Sequence, residues 1–289
     1  MSAMVPDSEL PDLDVVVAAN IAVHSRMADT YDTDEPHFRP ENKEKVRGRL
    51  ERLSANGPRV RLLDIGCGTG FMISLASDLF EHIDGLDATR AMLDRVDVSS
   101  GNVEVHEGLV ERMPFLDATF DMVTAYAFLH HLVDHRPALR EAARVLKPGG
   151  QLYVDLEPNR AYWAALSELE ARGPAVVDAL DPVVRREIDA VLHVDDDVAN
   201  RFDIPQEVFQ AAEFGKEFRG GFDPDELRDD VLAAGFASCT VHLDWYAGQA
   251  TVMHGESFEA AATVDEHLRR LMPMTRHLFK YLWVEATRQ

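Results

Sequence analysis

Cysteine is nearly missing from this chain of 289 residues: Cys67 and Cys239 are its two. Two thiols cannot staple a disulfide scaffold, and their scarcity suggests a reducing compartment. Basic residues are also few, 29 against 51 acidic, for a formal charge of −22. A surface that negative repels phosphate backbones and anionic membrane faces, which argues against nucleic-acid and membrane partners. No apolar run approaches the length needed to cross a bilayer. Met1 to Asp14 is acidic and lacks the basic start and apolar core of a signal peptide, so a cytoplasmic protein is expected. Internal repeats and low-complexity tracts are missing too, and the length suits one large domain with an insertion.

Against that background one stretch stands out. Arg59 to Ile65 reads as a short apolar strand and Phe71 to Ala76 as a helix start, with Gly66, Gly68 and Gly70 between them. Alternate glycines at a strand-to-helix turn let backbone approach a ligand closely. The dinucleotide fingerprint G-x-G-x-x-G would need a glycine where Phe71 stands, and no Lys-Ser or Lys-Thr pair follows to make a phosphate loop. What remains is Asp64-Ile65-Gly66-Cys67-Gly68-Thr69-Gly70. A carboxylate there suits a cationic ligand and would spoil a pyrophosphate site.

This D-x-G-x-G-x-G stretch resembles motif I of the class I S-adenosylmethionine-dependent methyltransferases. The likeness is to the small-molecule type, as in ubiquinone and menaquinone biosynthesis. It implies a Rossmann-like, doubly wound α/β fold: a mostly parallel seven-stranded sheet whose last strand is antiparallel and inserted between the fifth and sixth. It also implies S-adenosylmethionine as cofactor, held by Asp64, Gly66, Cys67, Gly68 and Gly70.

Other strands follow in the expected order. His82 to Asp87 is a second strand ending in a carboxylate, placed either to accept hydrogen bonds from a ribose or to cap the next helix. Thr89 could cap that helix instead. Ala88 and Met92 follow it on the cofactor side. The third strand, Val103 to His106, runs into Gly108-Leu109-Val110-Glu111. This resembles the family's adenine-contacting stretch, but Leu109 stands where relatives usually place an aspartate, so backbone around Leu109 and Val110 would have to read the adenine edge. The fourth strand, Phe120 to Tyr126, ends with Ala125 and Tyr126 at the crevice and leads into Leu129-His130-His131-Leu132.

Four side chains are candidates for the chemistry. His130 and His131 could each serve as a general base or simply bond a backbone carbonyl. His130, one residue closer to the strand, is expected to lie nearer the crevice. Glu157, after the fifth strand Gln151 to Leu156, is a second base candidate or a solvated loop carboxylate. Tyr31 could place its ring against the sulfonium of the cofactor or be a half-buried packing residue. No metal is expected, because adjacent histidines without a spaced partner do not make a zinc set.

The expected organisation is an N-terminal helical arm over 1–57, with helices at Val15 to Met27 and Asn42 to Leu53, and a cofactor-binding core over 58–157. A helical cap follows over 158–222 and the rest of the core, with a helical lobe, over 223–289. Residues 1–14 should be loosely held, and Asp195 to Asp197 should lie in a solvated loop. The expected activity is methyl transfer to an oxygen, nitrogen or carbon of a small organic, apolar or planar, substrate. The alternatives are a same-fold enzyme doing cyclisation or decarboxylation, and a non-catalytic cofactor-binding protein.

Overall fold

The computed structural model describes residues 11–55 and 57–289. The first ten residues, part of the stretch expected to be loosely held, lie outside them.

Seven strands form one sheet in the order β3-β2-β1-β4-β5-β7-β6. They are β1 (Arg61–Ile65), β2 (His82–Asp87), β3 (Val103–Glu107), β4 (Phe120–Tyr126), β5 (Leu146–Pro158), β6 (Phe236–Tyr246) and β7 (Phe279–Arg288). Six, β1 to β6, run in one direction, while β7 is antiparallel to both β5 and β6, between which it lies. The order reverses between β1 and β4, and crevices at such reversals, beyond the carboxyl ends of the strands, are where open α/β sheets bind ligands.

Helices cover both faces because the central strands are apolar on both sides: every residue of β4 is buried. On one face, Ala138, Leu139 and Ala142 of helix Arg136–Val145 and Leu227 and Val231 of helix Pro224–Ala233 pack on Leu63, Val123 and Leu152. On the other, Val46 and Leu50 of helix Pro40–Ser54 and Met72 and Ile73 of helix Phe71–Ala76 pack on Leu62, Met122 and Tyr153. The spacing of Val46 and Leu50 is that of one helical face, as their sequence implied.

β5 starts earlier than its sequence suggests. Lys147-Pro148-Gly149-Gly150 reads as a stop between helix and strand, yet the strand runs through it from Leu146. A register shift against β4 between Phe120 and Met122 absorbs the turn-like residues, with Gly149 at φ 77°. Such irregularities sit at sheet ends, where one ladder bond is cheap to lose.

Two segments cross the carboxyl ends of the strands. The arm helix Leu13–Met27 is started by Asp12, whose carboxylate accepts from the Asp14 N–H. Its Ala19, Val23 and Met27 pack against Phe209 and Ala212 of helix Gln206–Ala212, which belongs to the long helical stretch after β5. That stretch opens with helix Arg160–Glu170, capped by Asn159, and includes Val194–Arg201. The backbone of Asp195 to Asp197 is thus helical rather than loop. A further pair of helices, Gln249–Gly255 and Phe258–Arg270, joins β6 to β7.

Candidate functional site

The glycine turn follows directly from β1. Gly66, Gly68 and Gly70 take φ of 64°, 52° and 93°, the left-handed region that side chains other than glycine rarely adopt. At Gly66 the reason is also steric: a Cβ there would lie 2.0 Å from the Phe128 ring. At Gly68 nothing would meet a Cβ within 4 Å, because that position faces open space. Gly70 turns the chain into helix Phe71–Ala76 from behind the loop.

The loop borders a cavity of about 960 Å³, counted with its open mouth, which is within the range of small-molecule sites. Asp64, Gly66, Cys67 and Gly68 form its floor, and Asp87, Ala88 and Met92 one side. Leu109, Val110 and Tyr126 also reach it. Gly70 and Ala125 do not lie on the wall, although both were expected at the cofactor. Ala125 is fully buried against Leu129 and Val154, because alternate residues of β4 face opposite sides of the sheet and Thr124 and Tyr126 take the other one.

Asp64 is buried, and the Thr124 hydroxyl donates to its Oδ1 at 2.8 Å. Burial pushes its carboxyl up to about 8 despite that bond, with the Asp87 charge adding to the rise. Asp87 accepts from the Gly68 N–H at 3.0 Å and from the Thr89 N–H at 2.7 Å, one bond to each oxygen. Thr89 makes no side-chain cap for helix Arg90–Leu93, so Asp87 serves the local backbone there. Each carboxylate oxygen has a second lone pair, so these bonds leave acceptor capacity for a ligand. Cys67 fits over Gly85, where a Cβ would lie 2.9 Å from its Sγ, and burial holds the thiol far above its ordinary value.

Among the described residues no lysine or arginine lines the cavity, whereas Asp64, Asp87 and Glu111 do. Burial raises the Glu111 carboxyl, with Asp134 adding to it. Asp64 is buried and Asp87 and Glu111 half-buried, and such carboxyl groups short of counter-charge favour a cationic ligand and penalise a phosphate-bearing one.

The turn after β4 is held differently from its expected role. Ala127 takes φ 50° as the chain leaves the strand, an uncommon conformation for a residue with a side chain. Beyond it, Glu157 is fully buried and accepts from the N–H groups of Phe128, Leu129 and His130 at 3.0, 2.8 and 3.1 Å. Its Oε2 also lies 2.9 Å from His130 Nδ1. Glu157 is therefore neither a solvated loop residue nor free to take a substrate proton: the turn consumes its lone pairs.

The two histidines exchange their expected places. His130 is buried between Glu157 and Glu213, whose Oε2 is 3.8 Å from its Nε2. Burial pulls the imidazole down, but the Glu157 and Glu213 charges outweigh it and raise the ring above its ordinary value. His131 is the one that borders the cavity. Its Nδ1 donates to the Ala212 carbonyl at 2.8 Å, leaving Nε2 as the acceptor it can offer. Burial, with the neighbouring His130 charge, lowers this ring to about 3, so it is neutral. A helix turn away in space, Gly215 approaches so closely that a Cβ would lie 2.6 Å from the His130 carbonyl oxygen.

His130, His131 and Glu213 bring ligand-type atoms within 4.8 Å of one another. Glu213, however, pairs with Lys216 at 3.0 Å, and both Nδ1 atoms are already bonded. A metal would have to displace these partners.

Tyr31 reaches the cavity from the arm, and burial, then Glu35, holds its phenol far above the ordinary value, hence neutral. Two neighbours escaped sequence reasoning. His24 lines the cavity with its ring 5.0 Å from His131, edge-on. His37, buried within van der Waals reach of Phe38, Phe71 and Tyr126, is lowered to about 3 by burial and by Lys43. Val17, Asn20 and His24 share one face of helix Leu13–Met27, and that periodicity was the available signal. The arm is tied down by Asp32, which accepts from Thr69 Oγ1 at 2.5 Å, and by Asn42, which donates to the Tyr126 hydroxyl at 2.8 Å.

A seven-stranded doubly wound sheet with an antiparallel penultimate strand, a glycine turn and carboxylates at the tips of β1 and β2 defines the class I S-adenosylmethionine-dependent methyltransferase fold. Residues 63–154 match a family model described as a methyltransferase domain. The chain is 40% identical over 104 residues to the uncharacterized methyltransferase YcgJ of Bacillus subtilis, covering 33% of this chain and 40% of that one. It is 35% identical over 115 residues to demethylmenaquinone methyltransferase of Chlorobaculum parvum, covering 39% of this chain and 47% of the relative. The matches thus span less than half the length of these relatives. Among solved structures, Haemonchus contortus phosphoethanolamine N-methyltransferase 2, bound to phosphomonomethylethanolamine and S-adenosylhomocysteine, aligns with a TM-score of 0.54 at 13% identity. That alignment covers 96% of this chain and 59% of the other, and it speaks to the fold.

Proposed function

We propose that this chain is an S-adenosylmethionine-dependent methyltransferase acting on an oxygen, nitrogen or carbon of a small organic molecule. The observation that carries the reading is a cavity with carboxyl groups at the tips of two adjacent strands, Asp64 buried and Asp87 half-buried, and, among the described residues, no lysine or arginine on its wall. A ligand with an ammonium and a sulfonium fits that charge set, and the open space in front of Gly68 leaves room for it. Bound there, S-adenosylmethionine would supply an electrophilic methyl group.

The roles of the chain's residues follow from their positions. Asp64 and the glycine turn would receive the amino-acid end, and Asp87 the ribose. Ala88, Met92, Leu109 and Val110 would enclose the adenine, with Leu109 half-exposed where relatives place an aspartate. Tyr31 would close over the sulfonium with a neutral ring. The remaining task is to align the acceptor and exclude water. In this reading 1–57 acts as an arm, 58–157 as the cofactor core, 158–222 as a cap and 223–289 as the completion of the sheet. The acidic composition and two thiols support a cytoplasmic protein that does not bind nucleic acid.

Calorimetry with S-adenosylmethionine and S-adenosylhomocysteine tests the proposal. Binding of both is expected, and absence of binding to either would remove it. Product mass then separates methylation from a cyclisation or decarboxylation.

A further inference from the structure

The charge of the cavity constrains the second substrate as well as the cofactor. Wherever the acceptor lies in it, the nearest titratable groups that could turn positive are His24, His37 and His131. His37 and His131 are held neutral, near 3, chiefly by burial. Lys216, the basic side chain near the histidine turn, is engaged with Glu213 at 3.0 Å. A carboxylate or phosphate on the acceptor would therefore be desolvated without a counter-charge from a described side chain, in a cavity that also holds Asp87 and Glu111.

A protonated amine fails for a different reason. It has no lone pair to accept a methyl group, and it would sit next to a sulfonium of the same sign. What fits the remaining wall is an uncharged molecule. Beside His131 that wall is made of Val16, Val17, Leu132 and Val133, with Asn20 and His24 as its polar members. Asn20 Nδ2 is committed to the Val16 and His131 carbonyls. His24 and His131 each spend Nδ1 on a backbone carbonyl, at 2.9 and 2.8 Å, and the neutral His131 ring presents Nε2 as an acceptor.

Resting on the methyltransferase reading, we infer that the acceptor is an uncharged, largely apolar molecule carrying a hydroxyl or N–H donor, which His131 Nε2 receives and orients, and that anionic acceptors are rejected. When such a donor is methylated, its bond to the methyl carbon forms as the sulfur–carbon bond breaks, and its proton departs. A ring that remains neutral down to about pH 3 orients the donor without taking its proton, which leaves to solvent.

Matched probes test this without knowledge of the natural acceptor. 1-Naphthol and 1-naphthoate share one skeleton and differ in charge at pH 7. Each is titrated into protein saturated with S-adenosylhomocysteine. The expected result is binding of the naphthol at least about tenfold tighter than the naphthoate, the minimum cost of an unpaired buried charge. Replacing His24 by lysine, with the fold checked by thermal unfolding, should narrow that ratio about tenfold by placing a cation beside His131. Equal or tighter binding of the naphthoate to the unaltered protein would overturn the inference, as would binding of neither probe or an unchanged ratio in a folded His24→Lys. If His24→Lys does not fold, the probe pair on the unaltered protein decides. Failure to bind S-adenosylhomocysteine would instead remove the methyltransferase reading beneath it.

Discussion

The two sides of the cavity are built on opposite plans. At β1 and β2, backbone is left open by glycine and the carboxylates keep acceptor capacity toward the cavity. At the turn after β4, every strong polar group is already spent: Glu157 on three N–H groups and His130, His131 Nδ1 on Ala212, Glu213 on Lys216. One side is prepared to receive polar groups of a ligand. The other uses its own polar groups to fix a wall and presents one neutral nitrogen. Ionisable residues at strand ends thus do not all face a ligand, and counting hydrogen bonds separates those that do.

The contrast is broken most severely at Glu157. Replacing it with leucine leaves a buried, positively biased His130 and three N–H groups without partners. A loss of about 3–5 kcal/mol is expected, the range for breaking one side of a buried pair, read by chemical denaturation. A loss near zero would mean that water takes over the carboxylate's bonds.

Asp87 is the next test. Asp87→Ala should weaken S-adenosylhomocysteine binding by about 1.5–3 kcal/mol, as for hydrogen bonds to a charged group, measured by calorimetry. Unchanged affinity would assign the carboxylate to Gly68 and Thr89 alone.

Asp64 links the same side to pH. Its folded carboxyl titrates at about 8, above the unfolded value, so between the two the folded chain holds a proton that the unfolded chain has lost. Stability contributed by this group is therefore present at acidic pH and lost as pH rises through about 8. Asp64→Asn should remove that slope and stabilise the ligand-free protein at pH 8 by about 1–3 kcal/mol, the cost of an unsatisfied buried group, while weakening the cofactor. Parallel melting curves for both proteins from pH 5 to pH 9, about four units around that titration, would show whether the slope belongs to this residue.

The smallest effect is expected at His131. His131→Phe removes one neutral hydrogen bond, so kcat/KM should fall by a factor equivalent to about 0.5–1.5 kcal/mol. The larger loss that a general base would entail, roughly 10²–10⁴-fold, would show that the ring takes the proton after all.

Legibility in the sequence divides along the same line. The glycine turn, the tip carboxylates and the strand order are local: each is written within about ten residues and set by backbone conformation or period. His82 to Asp87 and Phe120 to Tyr126 were bounded to the residue for that reason. The histidine turn is set by partners far along the chain, Glu157, Ala212 and Glu213, and no spacing announces them. Sequence proximity to the strand favoured His130 over His131, but a 3-10 turn over Leu129–His131 rotates successive side chains to different sides. Ala125 was misplaced by a smaller error of the same kind, since one step along a strand exchanges faces.

Burial of Cys67 and half-burial of Cys239 keep both thiols mainly protonated in the folded molecule. Cys67 lies under the glycine turn with its thiol far above the ordinary value, and burial pushes Cys239, on the edge strand β6, up to about 11. Alkylating reagents attack the thiolate, so Cys67 is labelled mainly through transient opening of the surrounding structure, whereas half-exposed Cys239 is labelled at a rate set by its raised thiol. The two rates are therefore two clocks in one chain, one at the ligand loop and one at the sheet edge. A ligand seated on the glycine turn would slow the first and leave the second running.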